Sequence, residues 1–481
     1  MEDDEHTVSP SVRVIIEDVE SHPCCSHGPT LLFARAIKAG KERRFYACSA
    51  CRNRKDCRFF MWEDEWNSKK VENAELRRRA PLDDFSKCVH GVTKVLNLPA
   101  KKRGYCHTCS CLFNIKDEEK HKKHDSLIGI SDHHIRHPSE MLKQLECSKK
   151  EAQYMFSVRS VDFVYNTLRE LNVGFVVCIG APRIHERISG SLSSNCMMRS
   201  VLLDIDERYY SFYSSGQFFR YNMFSNYFFG GDVVRETFLG SIRNERQKVA
   251  IVIDPPFGGR VEPLAFTLQC LQKLREDCNS SLDGVMPVLW AFPYFMEPYI
   301  RGSCPDFTML DYKIEYVNHS SFKAGGNKRG SPVRIFTNVP AGKISLPEAE
   351  GYRYCSFCDR WVAPENKHCK MCNYCTSKDG RTYKHCKTCG RCVKPTYIHC
   401  SDCGRCCLPK HKCGLNLPRP VACFCGSLNH LAKECPLRRN NSKECKPQKR
   451  KICETKQVTK KKCSPRHQPI SCKDSKKKRF N

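Results

Sequence analysis

The sequence predicts an α/β fold with a doubly wound parallel sheet, flanked by several small zinc-binding domains. From about residue 140 to 340, short apolar segments alternate with helix-like segments, which is typical of a parallel sheet covered by helices. On both sides of this region the chain is dense in cysteine and histidine. We therefore expect a central domain at residues 136–345, with metal-stabilised modules before and after it.

Composition limits what these modules can be. The chain has 481 residues, 35 of them cysteine, and shows neither an apolar signal peptide after Met1 nor an apolar run long enough to span a bilayer. We therefore expect no segment that crosses a membrane, and thiols that bind metal rather than pair in disulfides. Lys and Arg exceed Asp and Glu by 81 − 52 = 29, which favours a polyanionic partner. Nucleic acid is the first hypothesis and an acidic membrane surface is the second.

The most informative segment begins at Val249. Its first five residues are apolar and mostly β-branched, which predicts a strand buried on both faces. The prolines of the following Asp254-Pro255-Pro256-Phe257 cannot continue a ladder of backbone hydrogen bonds, so the strand ends there. In an open α/β sheet, active sites lie at the carboxyl ends of strands, where this tetrapeptide is expected.

The tetrapeptide resembles the active-site motif of amino-group methyltransferases that use S-adenosylmethionine. The exocyclic amine of adenine is a poor nucleophile because its lone pair is delocalised into the ring. The Asp254 carboxylate and the Pro255 carbonyl can each accept one N–H of that amine, and Pro256 adds no competing donor. Phe257 would stack on a base that is unstacked or single-stranded. Catalysis would then depend on positioning and electrostatics, with no metal at the reacting centre. The alternative is an ordinary strand that ends in a proline-rich turn.

Two further predicted strands indicate a nucleotide site. The strand Phe175–Ile179 ends at Gly180, before a helix expected to begin near His185, and a glycine there lets the backbone approach a ligand. A second strand ends in Asp204, or in the alternative Asp206, about 20 residues later, the spacing at which such folds bind a ribose hydroxyl pair. A dinucleotide stays open, although a full Gly-x-Gly-x-x-Gly is missing.

The order of cofactor loop first and catalytic turn later resembles that of the class I Rossmann-like methyltransferases. Predicted strands at Val288–Pro293 and Val333–Phe336 would complete the sheet, and residues 218–224 would hold its third strand. The resemblance implies a class I Rossmann-like S-adenosylmethionine methyltransferase sheet with S-adenosyl-L-methionine as cofactor. The cofactor contacts that it implies are Ile179, Gly180, Ala181, Asp204, Asp206, Asn222 and Asp254. The basic loop at 323–330 either embraces RNA phosphates or is an ordinary solvated hairpin.

The N-terminal region predicts an acidic disordered tail over residues 1–20 and a first zinc module over 21–70. A tetrahedral zinc site can be built there from Cys25, His27, Cys48 and Cys57, with Cys24 and Cys51 as alternative ligands. The aromatic residues around these cysteines resemble those of the GRF zinc finger, a small binder of single-stranded nucleic acid. Stacking on these rings and phosphate contact by arginines would bind RNA. The alternative is that Phe59, Phe60 and Trp62 form the core of the finger.

Residues 71–135 predict a connector followed by a finger of the two-cysteine, two-histidine type. Its proposed zinc ligands are Cys106, Cys109, His121 and His124. The alternatives are Cys88, His90, Cys111, His133 and His134.

Residues 350–415 contain a repeated His-Cys-x2-Cys-x2-Cys unit. Between 355 and 413 there are 13 cysteines and four histidines, and so few apolar residues that the segment cannot fold without metal. The pattern is similar to the cysteine-rich domain of protein palmitoyltransferases, but it lacks their Asp-His-His-Cys and their transmembrane helices. We expect a structural scaffold packed on the central domain, with the pairing of ligands left open. The proposed ligands are Cys355, Cys358, His368, Cys369, Cys372, Cys375, His385, Cys386, Cys389, Cys392, His399, Cys400, Cys403, Cys406 and Cys413.

The last module, at residues 420–437, resembles a retroviral-type CCHC zinc knuckle, a reader of single-stranded RNA. Its proposed ligands are Cys423, Cys425, His430 and Cys435, with Cys423 the least well spaced. Residues 438–481 are rich in Lys and Arg without apolar periodicity. They predict a disordered tail that binds RNA electrostatically and addresses the protein to the nucleus or nucleolus.

The order of these modules resembles that of the CCHC-type zinc-finger rRNA N6-adenosine methyltransferases. The resemblance implies transfer of one methyl group to N6 of a specific adenosine in large-subunit (28S) rRNA, with the fingers selecting the RNA. It implies a nuclear or nucleolar location, with a cytoplasmic pool, and partners in ribosome biogenesis or RNA processing, with neither DNA nor a membrane as a partner. The alternatives are a non-catalytic RNA-binding scaffold, and a ubiquitin ligase, whose RING spacing the repeat lacks. A DNA-adenine or protein-amide acceptor also stays open within the methyltransferases.

Overall fold

The computed structural model describes residues 12–37, 41–51, 53–68, 95–145, 153–190, 198–278, 285–319, 330–411 and 413. Several predictions lie outside these ranges: the first part of the acidic tail, most of the connector with Cys88 and His90, the basic loop, the basic tail, and the knuckle with Cys423, Cys425, His430 and Cys435. Within the described residues, none of the helices combines the length and the apolar character that crossing a membrane requires.

The N-terminal finger is built on a four-stranded antiparallel sheet in the order β1-β4-β5-β6. One face of this sheet packs on Trp66 and buries a small core with Leu32 and Tyr46. Its elements are β1 (Val12–Ile15), β2 (Cys24–Cys25), β3 (Gly28–Pro29), β4 (Leu31–Ala36), β5 (Glu42–Ala47), β6 (Phe60–Trp62) and α1 (Glu63–Ser68).

The prediction of a disordered tail over residues 1–20 is wrong for residues 12–20. Strand β1 pairs antiparallel with β4, and Ile15 joins the finger core. A 3-10 helix, Val19–Ser21, follows. The apolar run at the start of β1 is too short to predict a strand alone, and it becomes one because β4 supplies hydrogen-bond partners.

The second finger has a three-stranded sheet in the order β8-β7-β9. Its fully buried Tyr105 belongs to the apolar core of the central domain and lies 5.4 Å from Phe212, centroid to centroid. The finger is therefore packed on the central domain rather than tethered to it. Its elements are β7 (Arg103–Cys106), β8 (Cys111–Asn114), β9 (Ser126–Ile128), α2 (Asp132–Arg136) and α3 (Pro138–Met141).

The central domain is an eight-stranded sheet with helices on both faces. Strands β10, β11, β12, β14 and β15 run parallel, and the full order is β13-β12-β11-β10-β14-β15-β17-β16. The order reverses between β10 and β14, which is the position where such sheets form ligand clefts. The elements are α4 (Val158–Glu170), β10 (Phe175–Ile179), α5 (Pro182–Ser189), β11 (Arg199–Asp204), β12 (Phe218–Asn222), β13 (Tyr227–Phe228), α6 (Gly231–Arg243), β14 (Val249–Ile253), α7 (Val261–Cys278), β15 (Val288–Pro293), α8 (Glu297–Ser303), β16 (Thr308–Met309) and β17 (Val333–Thr337).

Two details of this sheet differ from the sequence-based expectation. Strand β17 runs antiparallel to both β15 and β16, so the sheet is mixed rather than wholly parallel. The chain returns from β16 without a crossover helix among the described residues, and such a return gives an antiparallel pair. Helix α5 begins at Pro182 rather than near His185, because proline is well suited to the first turn.

Alternate residues of the central strands point into two apolar layers. Val176 and Cys178 of β10 face the layer that contains α4 and α5, whereas Val177 and Ile179 face the layer that contains α6, α7 and α8. Both faces of the strand are therefore buried, as its apolar sequence predicts.

The cysteine-rich domain consists of four short antiparallel hairpins. In each hairpin, the residue after the second cysteine of a Cys-x2-Cys loop has a positive φ: Asp359 (47°), Asn373 (51°), Gly390 (64°) and Gly404 (58°). This left-handed residue turns the loop so that both thiols point inward. The strands are β18 (Arg353–Cys355), β19 (Arg360–Val362), β20 (His368–Cys369), β21 (Tyr374–Cys375), β22 (Lys384–Cys386), β23 (Arg391–Val393), β24 (Ile398–Cys400) and β25 (Arg405–Cys407).

Gly28 joins the first finger to the central domain and gives a first testable prediction. It has φ +88°, and a Cβ there would lie 2.5 Å from Cδ1 of Tyr227, whereas Gly216 has φ +91° and nothing within 4 Å. Both Gly28→Ala and Gly216→Ala place alanine in the left-handed region of backbone conformation, which is strained, but only Gly28→Ala also adds a steric clash with Tyr227. We expect Gly28→Ala to lower the melting temperature by about 2–4 °C more than Gly216→Ala does. Equal shifts in differential scanning calorimetry would show that this contact does not matter.

Candidate active site and zinc centres

The three predicted site segments end at the same level of the sheet. Ile179 lies opposite both Leu203 and Ile253 in the parallel register. Gly180, Asp204 and Asp254 therefore follow side by side on adjacent strands at the carboxyl edge. The structure thus brings together the cofactor loop, the proposed ribose-binding carboxylate and the proposed catalytic turn.

Gly180 is held close to the catalytic turn. Its backbone N–H donates to the carbonyl of Leu203 (2.9 Å), and the N–H of Asp254 donates to the carbonyl of Ile179 (3.0 Å). Gly180 has φ +61°, and a Cβ there would lie 3.0 Å from the Asp254 carbonyl oxygen and 2.9 Å from Cε of Met223. Only glycine fits this position comfortably. Ala181 follows as the buried N-cap residue of α5.

The two carboxylates at the end of β11, those of Asp204 and Asp206, have different environments. Asp206 is buried, its carboxylate forms a 2.6 Å ion pair with Arg208, and Gln153 donates to it at 2.8 Å. Asp204 accepts the backbone N–H of Asp206 at 3.0 Å. Burial, with the charge of Asp206 beside it, raises the pKa of Asp204 to about 7. Both oxygens of Asp206 have partners within the protein, so Asp204 is the better candidate for accepting ribose hydroxyl groups.

The Asp254 carboxylate is half-buried and accepts a hydrogen bond from a tyrosine. The hydroxyl of Tyr316 donates to Oδ1 of Asp254 at 2.8 Å. Burial raises the pKa of Asp254 well above its ordinary value, and this hydrogen bond partly opposes the rise. Tyr316 follows β16 in a segment without strand periodicity, so the sequence offers no signal for it.

Aromatic rings surround the catalytic turn. Phe257 lies 5.6 Å from Tyr154 at an interplanar angle of 24°, and 5.6 Å from Tyr316 at 76°. His319 contacts Tyr154 at 4.5 Å. Such rings can bind a planar base beside Asp254. The turn itself is closed by a 2.8 Å hydrogen bond from Gly259 N–H to the carbonyl of Pro256, next to the buried Pro255.

Asn222, the predicted contact of the cofactor adenine, is hydrogen-bonded to the first finger in the structure. Its side-chain amide donates to the carbonyl of His27 (2.7 Å) and to Oγ of Ser49 (2.8 Å), both in the first finger. Its carbonyl oxygen accepts the N–H of Phe224 at 3.0 Å. With both amide protons used, this buried side chain joins the finger to the end of β12, and an adenine contact would require these bonds to break.

The first finger brings its four proposed zinc ligands together. One ligand atom from each of Cys25, His27, Cys48 and Cys57 lies within 4.8 Å of the others. The alternative ligand Cys51 is also close, 3.5 Å from Nε2 of His27. Three thiols and one imidazole in this arrangement suit tetrahedral Zn²⁺.

The face of the finger sheet opposite Trp66 carries a row of stacked aromatic rings. Phe33 lies 5.4 Å from Phe45, which lies 5.1 Å from Phe60. Arg43 lies 3.5 Å above the ring of Trp62. These rings are half-buried, and Phe59 packs on the opposite core, so the core alternative holds for Phe59. Arg260, three residues after Phe257, is 5.7 Å from Phe33, so this face begins next to the catalytic turn.

The second finger also brings its proposed ligands together. One ligand atom from each of Cys106, Cys109, His121 and His124 lies within 4.8 Å of the others. Of the alternatives, His133 instead contacts Glu140 at 2.9 Å.

The cysteine-rich domain interleaves its ligand sets. The groups that can each hold one ion are Cys355, Cys358, His368 and Cys375; then Cys369, Cys372, His385 and Cys392; then Cys386, Cys389, His399 and Cys406. In each of the last three hairpins, a histidine lies opposite a cysteine at the base, as His385 does opposite Cys392. The residues at the base of a hairpin are thus ligands of one ion, and the two cysteines of the loop at its tip are ligands of the next ion.

A further ligand set at the end of the described chain includes a histidine that the sequence interpretation missed. Nε2 of His411 lies 3.3 Å from Sγ of Cys403 and 3.0 Å from Sγ of Cys413, and Cys400 lies 3.5 Å from Cys413. His411 is directly followed by lysine instead of cysteine, so it breaks the repeated His-Cys pattern. The sequence did contain a signal for this histidine. Each earlier set of the cysteine-rich domain has one histidine, whereas Cys400, Cys403 and Cys413 are proposed as ligands without a histidine of their own.

The residues present fit the implied groups. The donor sets are three thiols with one imidazole, or two of each, which is the chemistry that structural zinc requires. At the sheet edge, Gly180 provides backbone approach at a helix start, and Asp204 provides a hydroxyl acceptor for S-adenosyl-L-methionine.

The fold and the site together define a class I Rossmann-like methyltransferase that carries structural zinc modules. A family model described as a probable N6-adenine methyltransferase matches residues 147–324, and the GRF zinc finger model matches residues 23–66. The rRNA N(6)-adenosine-methyltransferase ZCCHC4 of Homo sapiens is 44% identical over 430 residues, 86% of this chain and 82% of the human protein. The proteins of the same name from Mus musculus (48% over 432 residues, 86% and 82%) and Xenopus tropicalis (46% over 434 residues, 87% and 88%) are also similar. The chain belongs to this rRNA N(6)-adenosine-methyltransferase family.

Interleaving predicts unequal losses of zinc. His411→Ala removes a ligand from the last described set, which has no hairpin after it in the described chain, and should cost a single ion. His385→Ala should cost more than one, because the hairpin that it anchors also carries Cys386 and Cys389 for the next ion. Zinc per chain, measured by atomic emission on purified protein, distinguishes the two outcomes. Equal losses would mean that the sites fill independently.

The raised pKa of Asp204 predicts pH-dependent cofactor binding. The carboxylate must be ionised to accept two hydroxyl protons, so binding should strengthen as pH rises through about 7. Calorimetric titration with S-adenosylhomocysteine should give an affinity about tenfold weaker at about pH 6 than at about pH 8. In Asp204→Asn, binding should be weaker at both pH values, and any change left reports titration of the ligand itself. An unchanged pH dependence in the variant would exclude Asp204 as the titrating group.

Proposed function

We propose that this protein transfers the methyl group of S-adenosyl-L-methionine to N6 of a specific adenosine in large-subunit (28S) rRNA. The observation that carries the proposal is the position of the Asp254-Pro-Pro-Phe turn. It lies at the same level as Gly180 and Asp204, with a half-buried carboxylate and aromatic rings around it. The names of the similar proteins, rRNA N(6)-adenosine-methyltransferases, support the choice of substrate.

The residues at the turn have the properties that amine methylation requires. Bound S-adenosyl-L-methionine supplies an electrophilic methyl group. With Oδ1 of Asp254 bonded to Tyr316, Oδ2 can accept one N–H of the target amine. This contact localises the nitrogen lone pair, which forms the new N–C bond as the S–C bond breaks. The proton that N6 then loses can leave through the carboxylate to water. Positioning and a preorganised acceptor therefore supply the catalysis.

The aromatic face of the first finger supports an RNA strand as the substrate. Its row of rings, with Arg43 above Trp62 and Arg54 4.1 Å above Phe60, offers stacking and positive charge. Because Arg260 links this row to the catalytic turn, nucleotides that flank the target can stack there while the target base enters the cleft. A pocket that binds one base cannot select a unique site alone, so the fingers supply the selection.

The cellular setting follows from the substrate. We place the protein in the nucleus and nucleolus, with a cytoplasmic pool, among ribosome-biogenesis or RNA-processing proteins. The basic composition, 81 Lys and Arg against 52 Asp and Glu, supports a polyanionic partner.

The decisive experiment uses tritium-labelled S-adenosylmethionine and total RNA from cells that lack the protein. We expect label in large-subunit rRNA as N6-methyladenosine with the wild type, and a loss of about hundredfold or more with Asp254→Ala. Zinc content and RNA binding should persist in this variant. Asp306→Ala, which removes an exposed aspartate of the same domain, is the matched control and should retain activity. If the wild type binds RNA but labels none, the protein is a non-catalytic scaffold.

A further inference from the structure

Tyr316 is a buried residue that contacts both the Asp254 carboxylate and the aromatic rings beside it. Its side chain is 0% exposed, and its ring packs against Phe156 at 5.3 Å, Phe257 at 5.6 Å and Tyr154 at 6.0 Å. Its hydroxyl donates a 2.8 Å hydrogen bond to Oδ1 of Asp254. A hydroxyl placed in an apolar environment is costly unless it is hydrogen-bonded, so this contact fixes both side chains.

The backbone on both sides of Tyr316 is fixed as well. Tyr316 forms an antiparallel bridge with Phe156, and the N–H of Val317 donates to the carbonyl of Met155 at 2.9 Å. The N–H of Glu315 donates to Oγ of Ser160 at 2.8 Å. Tyr316 is thus part of the framework of the domain.

The segment that leads to Tyr316 is anchored on the cysteine-rich domain. Oδ2 of the buried Asp311 accepts the backbone N–H of Ala363 (3.0 Å) and the side-chain amide of Asn366 (2.6 Å), two residues before His368 of the first zinc set. The N–H of Lys313 donates to the hydroxyl of Tyr352 at 3.1 Å. The tyrosine is therefore held from two sides, by the α4 region and by the first zinc module.

We propose that Tyr316 is a positioning residue for methyl transfer, which orients the Asp254 carboxylate and keeps it ionised through a permanent hydrogen bond to Oδ1. The inference rests on the proposed function of the site. One oxygen is bonded to the tyrosine, so the other is aimed at the target amine. A bond to the charged form of a carboxyl group favours that form, which matters because burial opposes ionisation of Asp254.

The test compares Tyr316→Phe with Tyr312→Phe across a range of pH. Tyr312 is a buried tyrosine of the same segment, whose hydroxyl donates at 3.4 Å to the carbonyl of Arg159 rather than to the site. In Tyr316→Phe, kcat should fall about tenfold or more, with the KM for S-adenosylmethionine unchanged. The loss of a bond to the ionised form raises the pKa of Asp254, so the acidic limb of the kcat profile should move up by about one pH unit. Tyr312→Phe should retain the wild-type profile.

Several results would overturn the inference. An unchanged pH profile with lower kcat in Tyr316→Phe means that the hydroxyl does not act on Asp254. A higher kcat or a lower KM for RNA in Tyr316→Phe means that the hydroxyl of Tyr316 occupies the place of the target amine instead of orienting the Asp254 carboxylate that accepts it. Equal effects of both substitutions mean that each variant only loosens the segment. If the wild type itself methylates no RNA, the proposed function fails. If the wild type is active and Tyr316→Phe is equally active, the proposed function stands and only the role of Tyr316 is rejected.

Discussion

The register of β10 with its two neighbours is the constraint on which the site depends. Ile179 lies opposite Leu203 on one side and Ile253 on the other, so three strands end at the same level. A slip of one residue would turn every side chain to the other face of the sheet and separate the glycine from both carboxylates. The close packing of the apolar layers on the two faces opposes such a slip, because each side chain would move into the opposite layer, whose neighbours do not fit its shape. A polar site is thus positioned by apolar packing.

The same physics decides what the sequence could predict. Strands such as Val249–Ile253 are visible as apolar runs, and the residue at which each run ends is visible too, so Gly180, Asp204 and Asp254 could be proposed from pattern alone. The partner of Asp254 could not, because Tyr316 is 62 residues away in a segment without periodicity. The role of Asn222 was hidden for the same reason, since its partner His27 is 195 residues away. The direction of β17 depends likewise on its pairing and not on its own residues.

The zinc ligands show a similar division between identity and pairing. Their types and spacing mark them as ligands, but the sequence interpretation left their grouping open. The hairpin geometry explains the grouping: successive side chains of a strand point in opposite directions, so the neighbours His368 and Cys369 cannot easily bind the same ion. Each His-Cys pair is therefore divided between two sets, and the repeat becomes a chain of linked sites. One rule of strand geometry would have been enough to derive this arrangement, except for His411, which is not directly followed by a cysteine.

The zinc modules are attached to the catalytic sheet by buried polar groups, and this makes them part of the site. Asn222 at the end of β12 has its amide protons bonded to the first finger, and Asp311 after β16 has its carboxylate bonded to the cysteine-rich domain. Without those modules, each buried group would lose its partners, and an unpaired buried carboxylate is especially unfavourable. The segment from Asp311 continues to Tyr316 and so to Asp254. Zinc that folds the modules therefore also stabilises the position of Asp254, the proposed catalytic carboxylate.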